Sequence, residues 1–233
     1  MHILERAHVL HRAWRMRLRH NRSEIQYILS RRLRGATVAD VGANRGVYSY
    51  WLHRAVGPTG HVVAFEPQPE LVEYLHDLKR TFHLDRLTIE QLALSSTAGD
   101  RELTRPRDHW GGASLGTPMI ATAEAERLAV RTTTLDEYFG HSDLRPLRFI
   151  KADIEGHEHE CFLGAERTLR EDKPELLFEC YDEKFSDVFP FLESLGYEGF
   201  FFLHGKLTPV TELPQHRASI AKSHLNFVFV PRM

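Results

Sequence analysis

The chain has 233 residues, with 30 Lys+Arg against 32 Asp+Glu for a net charge of −2. That balance argues against a dedicated nucleic-acid binder, which carries a strongly basic domain. Hydrophobic residues make up 42% and charged residues 27%, which excludes disorder and collagen-like repeats, and no apolar run reaches the ~18 residues of a membrane span. Cys161 and Cys180 are too few for a disulfide framework and neither belongs to a CxxC pair. A soluble, cytoplasmic protein is expected, with both thiols acting as small buried hydrophobes.

Residues 1–34 hold nine arginines and only two acids, so they carry +7 while the rest of the chain carries −9. Leu4, Ala7, His11, Trp14 and Leu18 follow helical spacing, and Ser23 with Gln26 forms a capping box that predicts a second helix bearing Ile25, Ile28 and Leu29. The segment reads as a basic helical extension packed on the edge of a main domain spanning 35–233. From Thr37 onward, strands and helices alternate. Strands are predicted at Thr37–Val41, His61–Phe65, Leu87–Leu94, Leu128–Thr134, Arg148–Asp153, Glu175–Cys180, Tyr197–Leu203 and Asn226–Val230. Tyr48, Trp51, Leu52 and Ala55 mark one helix, and Leu71, Leu75, Leu78 and Phe82 the next. Further helices are expected near 158–171 and 184–195. This alternation implies an α/β fold with a doubly wound, mostly parallel sheet. With only a linker between them, the last two strands are expected to pair antiparallel. Residues 105–127 show no period and read as a long loop of the kind that serves as a functional lid.

Three constellations carry the candidate chemistry. In Asp40-Val41-Gly42-Ala43-Asn44-Arg45-Gly46, two glycines stand where the first strand turns into a helix, letting backbone amides approach a ligand. Glu66 ends the second strand 20 residues after Gly46, where a carboxylate can take the hydroxyls of a ribose. The pattern reads as an adenosine site, in which Asn44 and Asp40 suit a cationic ligand better than a pyrophosphate. The backbone at Leu92 and Ala93 is expected to flank an adenine, with plain core packing as the alternative.

The second constellation is Lys151-Ala152-Asp153-Ile154-Glu155-Gly156-His157-Glu158. Asp153, Glu155 and His157 follow the strand at the switch point of the sheet, where ligands of such folds sit, and are candidates for deprotonating a weak nucleophile. Asp153 is favoured because it ends the strand; His157, with an ordinary pKa of ~6.5, is its competitor. Glu158 and Glu160 read as acids that open the next helix. His157 and His159 are two apart and do not match a zinc pair on one helical face. The third constellation, Gly112-Ala113-Ser114-Leu115-Gly116, has the form of a nucleophile elbow without the flanking strand and helix an elbow needs. A hydrolase is not expected, and Ser114 is assigned to orienting a ligand or making a turn.

These motifs, together with Ala93-Leu94-Ser95 and Thr134-Leu135-Asp136, resemble the FkbM-type methyltransferases from about Thr37 to Glu179, and more weakly to Val230. Ala152 departs from the resemblance, standing where a bulkier aliphatic is usual. The resemblance implies a class I, Rossmann-like sheet, S-adenosylmethionine as cofactor, and methyl transfer to a hydroxyl of a small molecule or glycan. Glu66 would then hold the ribose, and Asp40, Gly42, Asn44 and Gly46 the amino-acid end. Asp153 and Glu179 close adjacent strands but no third ligand follows Glu179, so no metal is expected. Two rival readings are a nicotinamide-dependent oxidoreductase, disfavoured by Asn44 and the lack of a Tyr-x-x-x-Lys, and a non-catalytic adenosine-binding module.

Overall fold

The computed structural model describes residues 22–107, 110–116, 125–140, 142–181, 185–217, 220 and 224–232. The first basic helix expected, with Leu4 to Leu18, lies outside them, as do residues 117–124 of the expected lid. The second basic helix is α1 (Arg22–Ser30). Ser23 falls inside it rather than capping it. Ile25 and Ile28 are fully buried, in one cluster with Val38, Trp51 and Leu52. The Tyr27 hydroxyl donates to Glu175 at 2.7 Å.

The chain continues through β1 (Thr37–Val41), α2 (Val47–Val56), β2 (His61–Phe65), α3 (Pro69–Phe82), β3 (Leu87–Glu90), β4 (Ala93–Leu94), β5 (Gly99–Pro106) and β6 (Ala125–Thr133). Then come α4 (Leu135–Phe139), β7 (Leu147–Ala152), α5 (Glu158–Leu163), α6 (Glu166–Glu171), β8 (Glu175–Tyr181), α7 (Phe185–Ser194), β9 (Tyr197–Leu203), β10 (Lys206–Pro209), α8 (Leu213–His216) and β11 (His224–Pro231). Eight strands form the main sheet in the order β10-β9-β11-β8-β7-β1-β2-β3. β3, β2, β1, β7 and β8 run parallel, and β11 is antiparallel to both β8 and β9. The expected antiparallel pairing of the last two long strands is therefore present.

The central strands read as continuous apolar runs because helices cover both faces of the sheet. Side chains alternate between those faces. Val38, Val62, Phe149, Leu177 and Val228 go to the α1–α3 side, while Ala39, Val63, Ile150, Leu176, Phe227 and Phe229 go to the other. β1 is the switch point: chain order runs outward through β2 and β3, then returns to β7 on the opposite side.

Four expectations need correction. The single strand predicted over Leu87–Leu94 is two strands, and β4 leaves the main sheet for a second one ordered β4-β6-β5. The reading of 105–127 as one long loop fails at both ends: β5 and β6 pair from Gly99↔Thr132 to Pro106↔Ala125. The helix expected over 158–171 breaks at Gly164, where a Cβ would lie 2.1 Å from the Ser95 carbonyl oxygen. The linker between β9 and β11 contains β10 and α8. His204 and Gly205, both at positive φ, make the two-residue turn that folds β10 back on β9.

Candidate active site

At the carboxyl ends of β1, β2 and β7 lies an open-mouthed cleft that encloses about 120 Å³. One wall comes from Gly42, Asn44, Phe65, Glu66 and Gln68, and another from Leu92, Ala93, Leu94 and Leu103. Trp110, Gly112, Ala113 and Leu115 contribute from the segment after β5, and Asp153, Glu155 and His157 from the loop after β7.

The turn after β1 works by close approach. Gly42 has φ +75°, and a Cβ there would lie 2.1 Å from the Asp153 carbonyl oxygen, so a side chain would wedge β1 from β7. The amides of Gly42 and Ala43 both donate to the Phe65 carbonyl at 3.0 Å, which ties this turn to β2. Gly46 and Asp40 do not reach the cleft wall. A Cβ on Gly46 would meet Leu75 and Leu78 at 2.7 and 2.6 Å, so this glycine lets α2 pack on α3. Asp40 is buried beneath the turn and accepts a hydrogen bond from Ser49; burial pushes its pKa up to about 6.

Glu66 is 3% exposed. Its carboxylate accepts the amides of Asn44 at 2.8 Å and Gln68 at 3.0 Å, and burial still pushes its pKa up to about 7. Each carboxylate oxygen has a second lone pair, leaving acceptor capacity for a ligand hydroxyl.

Beyond β7 the chain turns through Glu155 and Gly156, both at positive φ. Asp153 Oδ2 lies 3.3 Å from Lys151 Nζ, and Glu155 accepts the Tyr181 hydroxyl at 2.7 Å. His157 pairs with the Ser95 hydroxyl through Nε2 at 3.0 Å, while Nδ1 is 3.7 Å from Glu160. Both ring nitrogens are thus engaged by protein groups. Glu158 does more than open α5: it is buried, and its carboxylate accepts the amides of Ile154 at 3.0 Å and Gly156 at 3.4 Å. Burial pushes its pKa up to about 7.

Ser114 is not a nucleophile on an elbow. Its backbone bridges Thr104 in both directions at 2.9 Å, and its hydroxyl donates to the Glu155 carbonyl at 2.9 Å, which fastens the 110–116 segment over the cleft. Sequence reasoning missed a second fastening. Gln68 donates to the Trp110 carbonyl at 3.2 Å and accepts from Arg105, while Arg105 also binds Glu70 at 2.9 Å and Glu126 at 3.1 Å. The Arg45 guanidinium stands 5.2 Å from the Trp110 ring centre. No local signal pointed to this fastening, because Arg105 read as part of a loop and its partners are scattered over 58 positions from Gln68 to Glu126.

A doubly wound sheet whose cleft opens at the β1 switch point, with the antiparallel β11 inserted between β8 and β9, has the class I S-adenosylmethionine-dependent methyltransferase fold. Within that class the chain belongs to the FkbM methyltransferase family, whose domain matches residues 40–198. It is similar to an FkbM methyltransferase from Methylobacillus flagellatus, with 18% identity and a TM-score of 0.58 over 86% of this chain and 45% of that one; it thus spans under half of that protein's length. It also resembles an rRNA methylase from Streptococcus thermophilus, with 10% identity and a TM-score of 0.53 over 90% and 95% of the two chains. A Streptococcus mutans protein in complex with S-adenosylhomocysteine gives 9% identity and 0.54 over 92% and 98%. No curated protein matches the chain. Among the described residues, no helix is long and apolar enough to cross a membrane.

Proposed function

We propose that the chain is an S-adenosylmethionine-dependent O-methyltransferase acting on a hydroxyl of a small molecule or glycan. The observation that carries this reading is the single cleft that brings Gly42, Asn44, Glu66, Leu92 and Ala93 together with Asp153, Glu155 and His157. The donor set fits the cofactor. Glu66 offers a buried carboxylate to the ribose hydroxyls, Leu92, Ala93 and Leu103 an apolar slot for the base, and Asn44 with Gly42 a polar turn for the amino-acid end. Asp40 and Gly46 support that turn from outside the cleft.

When bound, S-adenosylmethionine supplies an electrophilic methyl group on a sulfonium. What remains for the protein is to hold the acceptor oxygen in line and remove its proton, and orientation alone is worth roughly 7–11 kcal/mol in favourable cases. Asp153 accepts the hydroxyl's hydrogen bond and takes the proton. Glu155, which accepts the Tyr181 hydroxyl, lines the cleft beside Asp153. His157, held by Ser95, is the alternative base. The segment from Trp110 to Gly116 shields the cleft from water.

Calorimetric titration with S-adenosylhomocysteine and with NAD tests the cofactor assignment: binding of the first and not the second is expected, and the reverse overturns it. Labelled methyl transfer to a panel of glycans, polyhydroxylated small molecules and ribosomal RNA then tests the acceptor. Incorporation into RNA alone would overturn the small-molecule or glycan reading.

A further inference from the structure

Lys151 is fully buried, and a buried cation is costly unless it is paired. It stands on β7 opposite Asp40 of β1. Its ammonium lies 3.3 Å from Asp153 Oδ2, donates to the Ala152 carbonyl at 3.2 Å, and sits 4.6 Å from the centre of the Tyr48 ring. On the other side, Ala152 pairs with Phe178 in the parallel β7–β8 ladder, so the next residues, Asp153 and Glu179, are neighbours. After burial, Asp153 is the strongest influence on the Glu179 carboxyl.

Two ionised carboxylates on adjacent strand ends repel each other, which favours a proton on one partner. Lys151 lies against Asp153 and favours its ionised form. Glu179 is therefore the partner that keeps the proton. We propose that Lys151 and Glu179 are positioning residues for Asp153: one from within the sheet, the other from the adjacent strand, they hold its carboxylate as an oriented anion on the cleft wall. The inference rests on the reading of Asp153 as the group that meets the acceptor hydroxyl. It gives the buried lysine a task, since a neutral Asp153 could not take that hydroxyl's proton and a freely rotating one would not be held in line with it. Burial, followed by the charge of Asp153, pushes Glu179 well above the usual carboxylate range. The ionisable groups facing the pair are Asp40 from β1, Glu155 and Glu158 from beyond β7, and Tyr181 at the end of β8. None of these is a cation, so the field they make opposes ionisation and leaves Lys151 to offset it.

Carboxyl ¹³C NMR titration of the full chain, free of cofactor and acceptor, is the test, with Asp153→Asn and Glu179→Gln assigning the two resonances. In the unmodified protein Glu179 should remain protonated at neutral pH while Asp153 stays ionised into the acid range. In Lys151→Met the Asp153 resonance should titrate higher by about one pH unit or more, and Lys151→Arg should restore it. An Asp153 titration unchanged in folded Lys151→Met, or a Glu179 resonance ionised at neutral pH, overturns the proposal. Should Lys151→Met not fold, Glu179→Gln decides: the high-pH titration must vanish and Asp153 stay ionised, and its persistence refutes the assignment. Calorimetry of S-adenosylhomocysteine run alongside separates the two readings, because its failure counts against the methyltransferase and leaves the carboxyl titration standing.

Discussion

Glu66 accepts the backbone amide of Asn44 at 2.8 Å, which joins the carboxyl ends of β1 and β2 together with the two bonds from Gly42 and Ala43 to the Phe65 carbonyl. The same carboxylate is assigned to the ribose, so cofactor binding and the shape of the turn after β1 share a group.

Glu66→Ala is expected to weaken S-adenosylhomocysteine binding by 10-fold or more, at about 1.4 kcal/mol per tenfold, and to lower the melting temperature, because two amides lose their acceptor. Glu66→Gln should keep most of the stability and still lose affinity. Ligand hydroxyls donate best to the ionised carboxylate, whose pKa in the free protein is about 7. Affinity should therefore fall as pH drops below neutrality, and Glu66→Gln should flatten that profile. Calorimetry between pH 6 and 8 checks it; a flat profile in the unmodified protein would remove Glu66 from the ribose.

Gly42 and Gly46 stand in one motif but face different surroundings. Gly42→Ala meets a backbone carbonyl at 2.1 Å, whereas Gly46→Ala meets the far ends of two leucine side chains at 2.6 and 2.7 Å. Both also carry the strain of positive φ, about 1–3 kcal/mol. Gly42→Ala should cost clearly more stability and abolish cofactor binding, while Gly46→Ala should remain folded with affinity nearly intact. Thermal denaturation of the two variants separates the roles, and equal losses would contradict them.

The sequence was most readable where a strand is buried on both faces. Thr37–Val41, His61–Phe65 and Glu175–Cys180 announce themselves as apolar runs, and Glu66 and Asp153 are visible because each ends such a run. β5 was not readable: Gly-Asp-Arg-Glu-Leu-Thr-Arg-Pro has four exposed residues in succession and becomes a strand because β6 pairs with it. The need for glycine at position 164 was hidden too, since it comes from the Ser95 backbone, far away in the chain. Lys151 was written into the motif, yet nothing local distinguishes a lysine sealed between two strands from one reaching solvent.

Glu158 offers a stability measurement independent of activity. Its pKa of about 7 in the folded protein exceeds the ordinary value near 4.3 of an unfolded chain, because burial disfavours the charged form. The folded state thus binds the proton more tightly. Its contribution is fully present below the unfolded value and is lost as pH rises towards 7. Glu158→Gln keeps an oxygen for the amides of Ile154 and Gly156 but cannot ionise. Relative to the unmodified protein, it should gain stability steadily between pH 4 and 8, by roughly 3 kcal/mol in all at 1.36 kcal/mol per pKa unit. Urea unfolding at a series of pH values reads the difference directly. A constant difference across that range would mean that Glu158 ionises as freely in the folded protein as in the unfolded chain.

Methyl transfer is expected to be independent of divalent cations. Asp153 and Glu179 end adjacent strands and look at first like the beginnings of a cation site. Two features of the structure oppose that use. The Lys151 ammonium already lies 3.3 Å from Asp153 Oδ2, so an incoming dication would be brought against a fixed positive charge. Burial and the charge of Asp153 also raise the pKa of Glu179, so a metal would have to displace its proton. Magnesium and calcium bind through several oxygen ligands in a defined shell, and among the described residues no group of three or more His, Cys, Asp or Glu is arranged to supply one. Once an acceptor is in hand, turnover should be the same after exhaustive EDTA treatment as before it. Activity lost to EDTA and restored by magnesium would reverse this assignment and turn Asp153 and Glu179 into metal ligands.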